Sequence, residues 1–134
     1  MLFSLFRAVG WTCVVAIVVL SLVPGNERPY TGLGGQFDHV ITYAGTAALL
    51  GLGYPTTKVR FEIFAMLAVL AAVLEVAQLW VPGRHSQFID FAMSCGGACL
   101  GMSVVAFVDR IGLTCPCGIF RHRRYGKARA PNSK

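Results

Sequence analysis

Long stretches without a charged residue dominate this sequence, among them residues 8–24, 64–74 and 91–108. A soluble domain spreads charged side chains along the chain to cover its surface, and about a quarter of its residues are charged. Here only 13% of residues are charged and 55% are apolar, and seven of the 12 Lys and Arg residues come from residue 110 onward. The distribution therefore predicts a membrane protein with a basic tail.

A membrane-spanning helix needs about 20 mostly apolar residues, and four segments meet that requirement. The first three end at residues that stop a helix, namely Pro24-Gly25, Pro55 and Pro82-Gly83. A cleaved signal peptide is the alternative for the first segment, but no small-x-small cleavage site follows it. We expect an all-α, polytopic membrane domain over residues 1–109, with four transmembrane helices at residues 4–23, 37–55, 61–81 and 86–108.

The positions of the basic residues predict the orientation, because cytoplasmic loops of membrane proteins carry an excess of Lys and Arg. With a cytoplasmic N-terminus, the inside holds ten basic residues, including Arg7, Lys58 and Arg60. The outside then holds only two, Arg28 and Arg84. Both termini are therefore expected in the cytoplasm, in a multi-pass protein of the cell membrane.

Residues 110–134 form a basic segment that has almost no apolar residues after Arg121. This composition predicts a disordered cytoplasmic tail that lies against anionic lipid headgroups. The net charge of +6 also raises nucleic acid as a partner, but the tail does not alternate basic and aromatic residues, so we expect no nucleic-acid binding. Cys115 and Cys117 are expected to be reduced, without a defined role.

Polar residues within the spans carry the functional prediction. An ionisable side chain there costs about 2.5–3.5 kcal/mol to insert and usually faces a protein partner. With the orientation above, seven polar residues from three segments, including Arg84 in the outer turn, fall in the outer half of the membrane. We predict that they form a ligand-binding cluster: His39, Tyr43, Glu75, Gln78, Arg84, Asp90 and Ser94.

The spacing of these residues resembles a known signature. The segment 75–97 is similar to the E-x-x-Q-x-x-x-P-x-R-x(5)-D-x-x-x-N-x-x-G pattern of VanZ-like membrane proteins, and it departs from that pattern with Ser94 in place of asparagine. His39 and Tyr43 resemble the second-span H-x-x-x-[YF] of that family, and residues 21–24 resemble the close of its first span. A family Asp-Lys pair before the histidine is replaced by residues 35–36, Gly-Gln.

The VanZ-like family takes its name from a member associated with resistance to the glycopeptide teicoplanin. The resemblance implies a cell-envelope role in the bacterial cytoplasmic membrane, connected with antibiotic resistance. The ligand is then an envelope lipid, a cell-wall intermediate or a glycopeptide-type drug. In this hypothesis Arg84 contacts an anionic group, while Tyr43, Gln78 and Ser94 donate or accept hydrogen bonds.

The same residues leave other interpretations open. The cluster is a structural network if Arg84 pairs with a carboxylate and the remaining polar groups satisfy one another. It belongs to an intramembrane enzyme acting on a lipid headgroup if His39 or Glu75 is a general base, although we lean against an enzyme. A small transporter component is the weakest alternative, because the chain contains no internal repeat.

Metal binding is the last alternative. His39, Glu75 and Asp90 are residue types that bind zinc, but no close motif such as H-E-x-x-H is present, so we predict no metal and no cofactor.

Gly97 and Gly101, at GxxxG spacing, predict that the fourth span packs closely against protein. Membrane lipids are the expected partners, and a homo-oligomer is left open.

Overall fold

The part of the chain that the structure describes contains four α-helices and no strand. A computed structural model describes residues 1–24, 35–83 and 87–112, with α1 at Leu2–Leu22, α2 at Gly35–Gly53, α3 at Thr57–Gln78 and α4 at Phe88–Arg110. The all-α prediction is confirmed. Arg28, Arg84, Cys115 and Cys117 lie outside the described residues, together with most of the basic tail.

The helix boundaries follow the proline and glycine signals to within a few residues. α2 ends before Pro55, and α3 starts directly after Thr56, which is extended at φ −85° and ψ 124°. α3 therefore begins four residues before the predicted position, because nothing after Pro55 interrupts helical geometry. At its other end α3 stops at Gln78, and a turn follows in which Gly83 has a positive φ of 74°.

α2 is the central helix of the bundle. It packs against each of the other three helices, most extensively against α4, whereas α1 and α4 are not in contact. Leu50 of α2, Leu67 of α3 and Ala98 of α4 are fully buried in the core between these helices. α1 adds Ile17 to the same core. Because α2, α3 and α4 pack against one another, the start of α2, the end of α3 and the start of α4 lie at the same end of the bundle.

Two glycines of α4 lie directly on the backbone of α2. A Cβ atom at Gly97 would clash with the Val40 carbonyl and lie 2.9 Å from Val40 Cα. A Cβ atom at Gly101 would clash with the Ala44 carbonyl group, one helical turn further along. The predicted close packing at the GxxxG spacing is confirmed, and its partner is α2.

The C-terminal end of α2 is held by two arginines. The last carbonyls of a helix have no partner within the helix, so they need donors from elsewhere. Arg7 Nε donates to Gly53 O at 2.8 Å, and Arg60 Nε donates to Gly51 O at 2.9 Å. Arg60 also forms an ion pair with Asp109 of α4. This end of the bundle is therefore closed by guanidinium groups from α1 and α3.

We expect Gly97→Ala to destabilise the bundle, by about 1–3 kcal/mol, because the added methyl group pushes α4 away from α2. The matched control is Gly96→Ala on the same turn, where a Cβ atom would meet nothing within 4 Å. Thermal unfolding of both variants in detergent measures the difference. Equal unfolding midpoints would contradict the close contact between α2 and α4.

Candidate functional site

Three ionisable residues meet at the end of the bundle opposite the arginines. His39 lies near the start of α2, Glu75 in the last turn of α3 and Asp90 in the first turn of α4. One potential ligand atom from each of them lies within 4.8 Å of the others. Three of the residues that the sequence placed in one outer cluster are thus brought together by three different helices.

Ser94 connects His39 to α4. Its side chain is buried, its Oγ donates to the Asp90 carbonyl at 2.9 Å, and the same Oγ lies 3.3 Å from His39 Nδ1. A serine hydroxyl has a single proton to donate, and here it is donated in the hydrogen bond to the Asp90 carbonyl. This contact therefore favours the tautomer in which Nδ1–H of His39 donates to Ser94 Oγ.

Glu75 lies at the N-terminus of α4. Only 8% of this residue is exposed, and its Oε2 accepts a hydrogen bond from the Gln87 backbone N–H at 3.3 Å. Gln87 is the N-cap residue of α4. A carboxylate at this position accepts a hydrogen bond from a backbone N–H at the helix start, and the positive end of the helix dipole stabilises its negative charge. No sequence signal pointed to Gln87, beyond the general need of a helix start for an acceptor.

The structure describes two of the three remaining predicted residues, Tyr43 and Gln78. Tyr43 is buried beside Glu75, Cys95 and Ser94, and its side chain hydrogen-bonds with that of Ser94. Gln78 is also buried, three residues after Glu75 on α3. Arg84 lies outside the described residues, so its contact with an anion stays a prediction.

A cavity between α1 and α2 reaches the cluster. It has a volume of about 50 Å³ and opens to the surface. Its walls are formed by Ile17, Leu20 and Ser21 of α1 and by Asp38, His39, Thr42 and Tyr43 of α2. His39 and Tyr43 therefore belong to both the cavity and the cluster. The α1 residues were absent from the predicted site, although Ser21 is part of the segment that resembles the family's first span.

No family model, curated protein or solved structure matches this chain. The resemblance to VanZ-like proteins rests on the residues quoted above.

We expect Ser94→Ala to reduce stability by about 1–3 kcal/mol, because His39 and Tyr43 lose a buried hydrogen-bond partner. Ser103→Ala is the matched control: Ser103 Oγ makes the same bond to a carbonyl four residues earlier, Cys99 O at 2.8 Å, but is exposed. Unfolding in detergent compares the two. Nitrogen NMR of His39 adds a direct measurement, and a wild-type tautomer with the proton on Nε2 would contradict the assigned hydrogen bond.

Proposed function

We propose that this chain is a VanZ-like protein with four transmembrane spans and that its polar cluster binds the headgroup of an envelope amphiphile. Two of its helices, α1 and α4, are long and apolar enough to cross a membrane. α2 and α3 are not among these candidate spans. Several of their polar side chains, including Tyr43, Glu75 and Gln78, are buried in the bundle, which is where polar groups in a membrane helix are best satisfied.

Exposed apolar side chains on every helix support the proposal of four spans. Val15 of α1, Ile41 of α2, Val69 of α3 and Leu100 of α4 are each more than half exposed. Soluble monomers rarely expose apolar patches of large area. In a bilayer these side chains would contact lipid tails without cost, since the tails are as apolar as they are.

The distribution of positive charge supports the proposed orientation. Every basic residue in the described ranges lies at the α2 C-terminal end of the bundle: Arg7, Lys58, Arg60 and Arg110. His39, Glu75 and Asp90 lie at the other end. Because basic residues mark the cytoplasmic side, the cluster belongs on the outer side of the membrane in this proposal.

The observation that carries the proposed function is that the cluster and the cavity share His39 and Tyr43. Ile17 and Leu20 give the cavity an apolar wall, whereas the cluster supplies an imidazole and carboxylates. Ligand sites commonly combine an apolar lining with a few polar groups that fix orientation. The arrangement suits a molecule with an apolar chain and a polar headgroup, such as an envelope lipid or a lipid-linked cell-wall intermediate.

One observation favours an intramembrane enzyme as a second candidate. His39 is oriented through Nδ1 by Ser94, and two carboxylates lie within 4.8 Å of it. A general base needs this kind of fixed orientation. The two functions differ in outcome, because an enzyme converts a defined lipid whereas a binding protein releases it unchanged.

Native mass spectrometry of the protein extracted with lipid tests the binding function. We expect a co-purified amphiphile in the wild type and a roughly tenfold loss of it in Leu20→Trp, equivalent to about 1.4 kcal/mol, because the larger ring fills the cavity. Val19→Trp is the matched control, since Val19 is exposed but does not line the cavity. Equal retention in both variants would contradict binding in the cavity.

A topology reporter fused after Lys134 tests the orientation. We expect a reporter that works only in the cytoplasm to be active when it is fused after Lys134, because the basic residues favour a cytoplasmic C-terminus. A second fusion within residues 25–34 is expected to give the opposite result. An inactive C-terminal fusion together with an active fusion within residues 25–34 would place the cluster in the cytoplasmic half of the membrane and contradict the proposal.

A further inference from the structure

We propose that His39, Glu75 and Asp90 bind a divalent transition-metal ion, and that zinc is the ion their chemistry fits. The three residues come from α2, α3 and α4, and each offers a ligand atom within 4.8 Å of the other two. This deepens the proposed function and rests on it for the headgroup, which becomes a ligand of the metal.

The separations are close to those of a zinc site. Zinc in a tetrahedral site forms bonds of about 2.0–2.1 Å, so its ligand atoms lie about 3.4 Å apart. The three ligand atoms here lie within 4.8 Å of one another. This distance exceeds the spacing of zinc ligands by about 1.4 Å at most. Glu75 and Asp90 can close this difference through their side-chain torsions, without movement of the helices.

The ligand types select the ion. Magnesium and calcium prefer shells made only of oxygen atoms, whereas an imidazole suits zinc and the other first-row transition metals. One imidazole with two carboxylates also balances the two positive charges of the ion.

Groups around the three residues orient them as a metal site requires. A metal-binding histidine usually donates its other ring N–H to a neighbouring acceptor, which fixes the tautomer. Ser94 Oγ lies 3.3 Å from Nδ1 of His39 and is that acceptor in this proposal, in which Nε2 binds the metal. The Gln87 N–H holds Oε2 of Glu75 in the same way.

Three protein ligands leave a fourth position, which is the arrangement of zinc sites that bind a substrate or water. The cavity between α1 and α2 reaches His39 and gives this position a route from the surface. An anionic oxygen of the amphiphile, such as a phosphate or carboxylate oxygen, would occupy it. The metal is then the cation that holds the headgroup.

Spacing along the chain does not reveal such a site. His39 and Glu75 are 36 residues apart, and Asp90 follows 15 residues later. The expectation of no metal was based on the absence of a close motif, and the helix packing removes that reason.

Metal analysis of the full chain, purified in detergent without added lipid, tests the proposal. After removal of metal by a chelator and incubation with zinc, we expect one zinc ion per wild-type chain. His39→Ala, Glu75→Gln and Asp90→Asn are expected to keep less than roughly a tenth of that zinc. Glu62→Gln is the matched control on α3, because Glu62 is exposed and pairs only with Lys58 at 3.8 Å in the described structure; it should keep all of its zinc.

The tail thiols require a separate control. A Cys115→Ser/Cys117→Ser variant of the full chain should bind zinc as the wild type does, and cobalt in place of zinc should show no thiolate charge-transfer band. Loss of zinc in this variant, binding of magnesium or calcium alone, or full binding by His39→Ala would overturn the proposal.

Stability measurements keep the test decisive if a ligand variant does not fold. Zinc should raise the thermal unfolding midpoint of the wild type and of Glu62→Gln, because a ligand that binds the folded state stabilises it. No rise in either protein overturns the proposal.

Amphiphile binding is measured separately. If an amphiphile co-purifies with a chain that binds no zinc, the metal site is wrong and the binding function stands. If zinc binds at His39 but no amphiphile is found, the binding function is wrong and the metal site stands.

Discussion

The close contact of α4 with α2 is the interaction on which the rest of the structure depends. Gly97 and Gly101 allow the two backbones to touch at Val40 and Ala44. A larger side chain would hold the helices further apart, and the short side chain of Ser94, one turn before Gly97, could no longer reach His39. The small-residue spacing thus determines both the packing of the bundle and the orientation of the imidazole.

The two ends of the bundle satisfy helix termini with opposite charges. At one end Arg7 and Arg60 donate to the final carbonyls of α2. At the other end Glu75 accepts from the N–H of Gln87, the N-cap residue of α4. Unsatisfied backbone groups are costly wherever water is excluded, so each contact has a structural purpose. The cavity beside His39 lies at the carboxylate end, which locates the candidate site there.

The sequence predicted the helices and the set of polar residues better than it predicted their contacts. Apolar length and proline positions were enough for the four helices, since both act locally. That His39, Glu75 and Asp90 converge depends on which helices are neighbours, and no local pattern contains that information. The α1 wall of the cavity was missed for the same reason. Ser21 stood out only as part of a resemblance, and its packing beside α2 is a tertiary property.

Each member of the cluster has a structural explanation by itself, but their convergence does not. Glu75 satisfies the start of α4, and Asp90, in the first turn of α4, favours the helix dipole. His39 is held by Ser94. None of these tasks requires the two carboxylates to lie within 4.8 Å of each other and of the imidazole. The convergence of these three residue types is the feature on which the metal proposal rests.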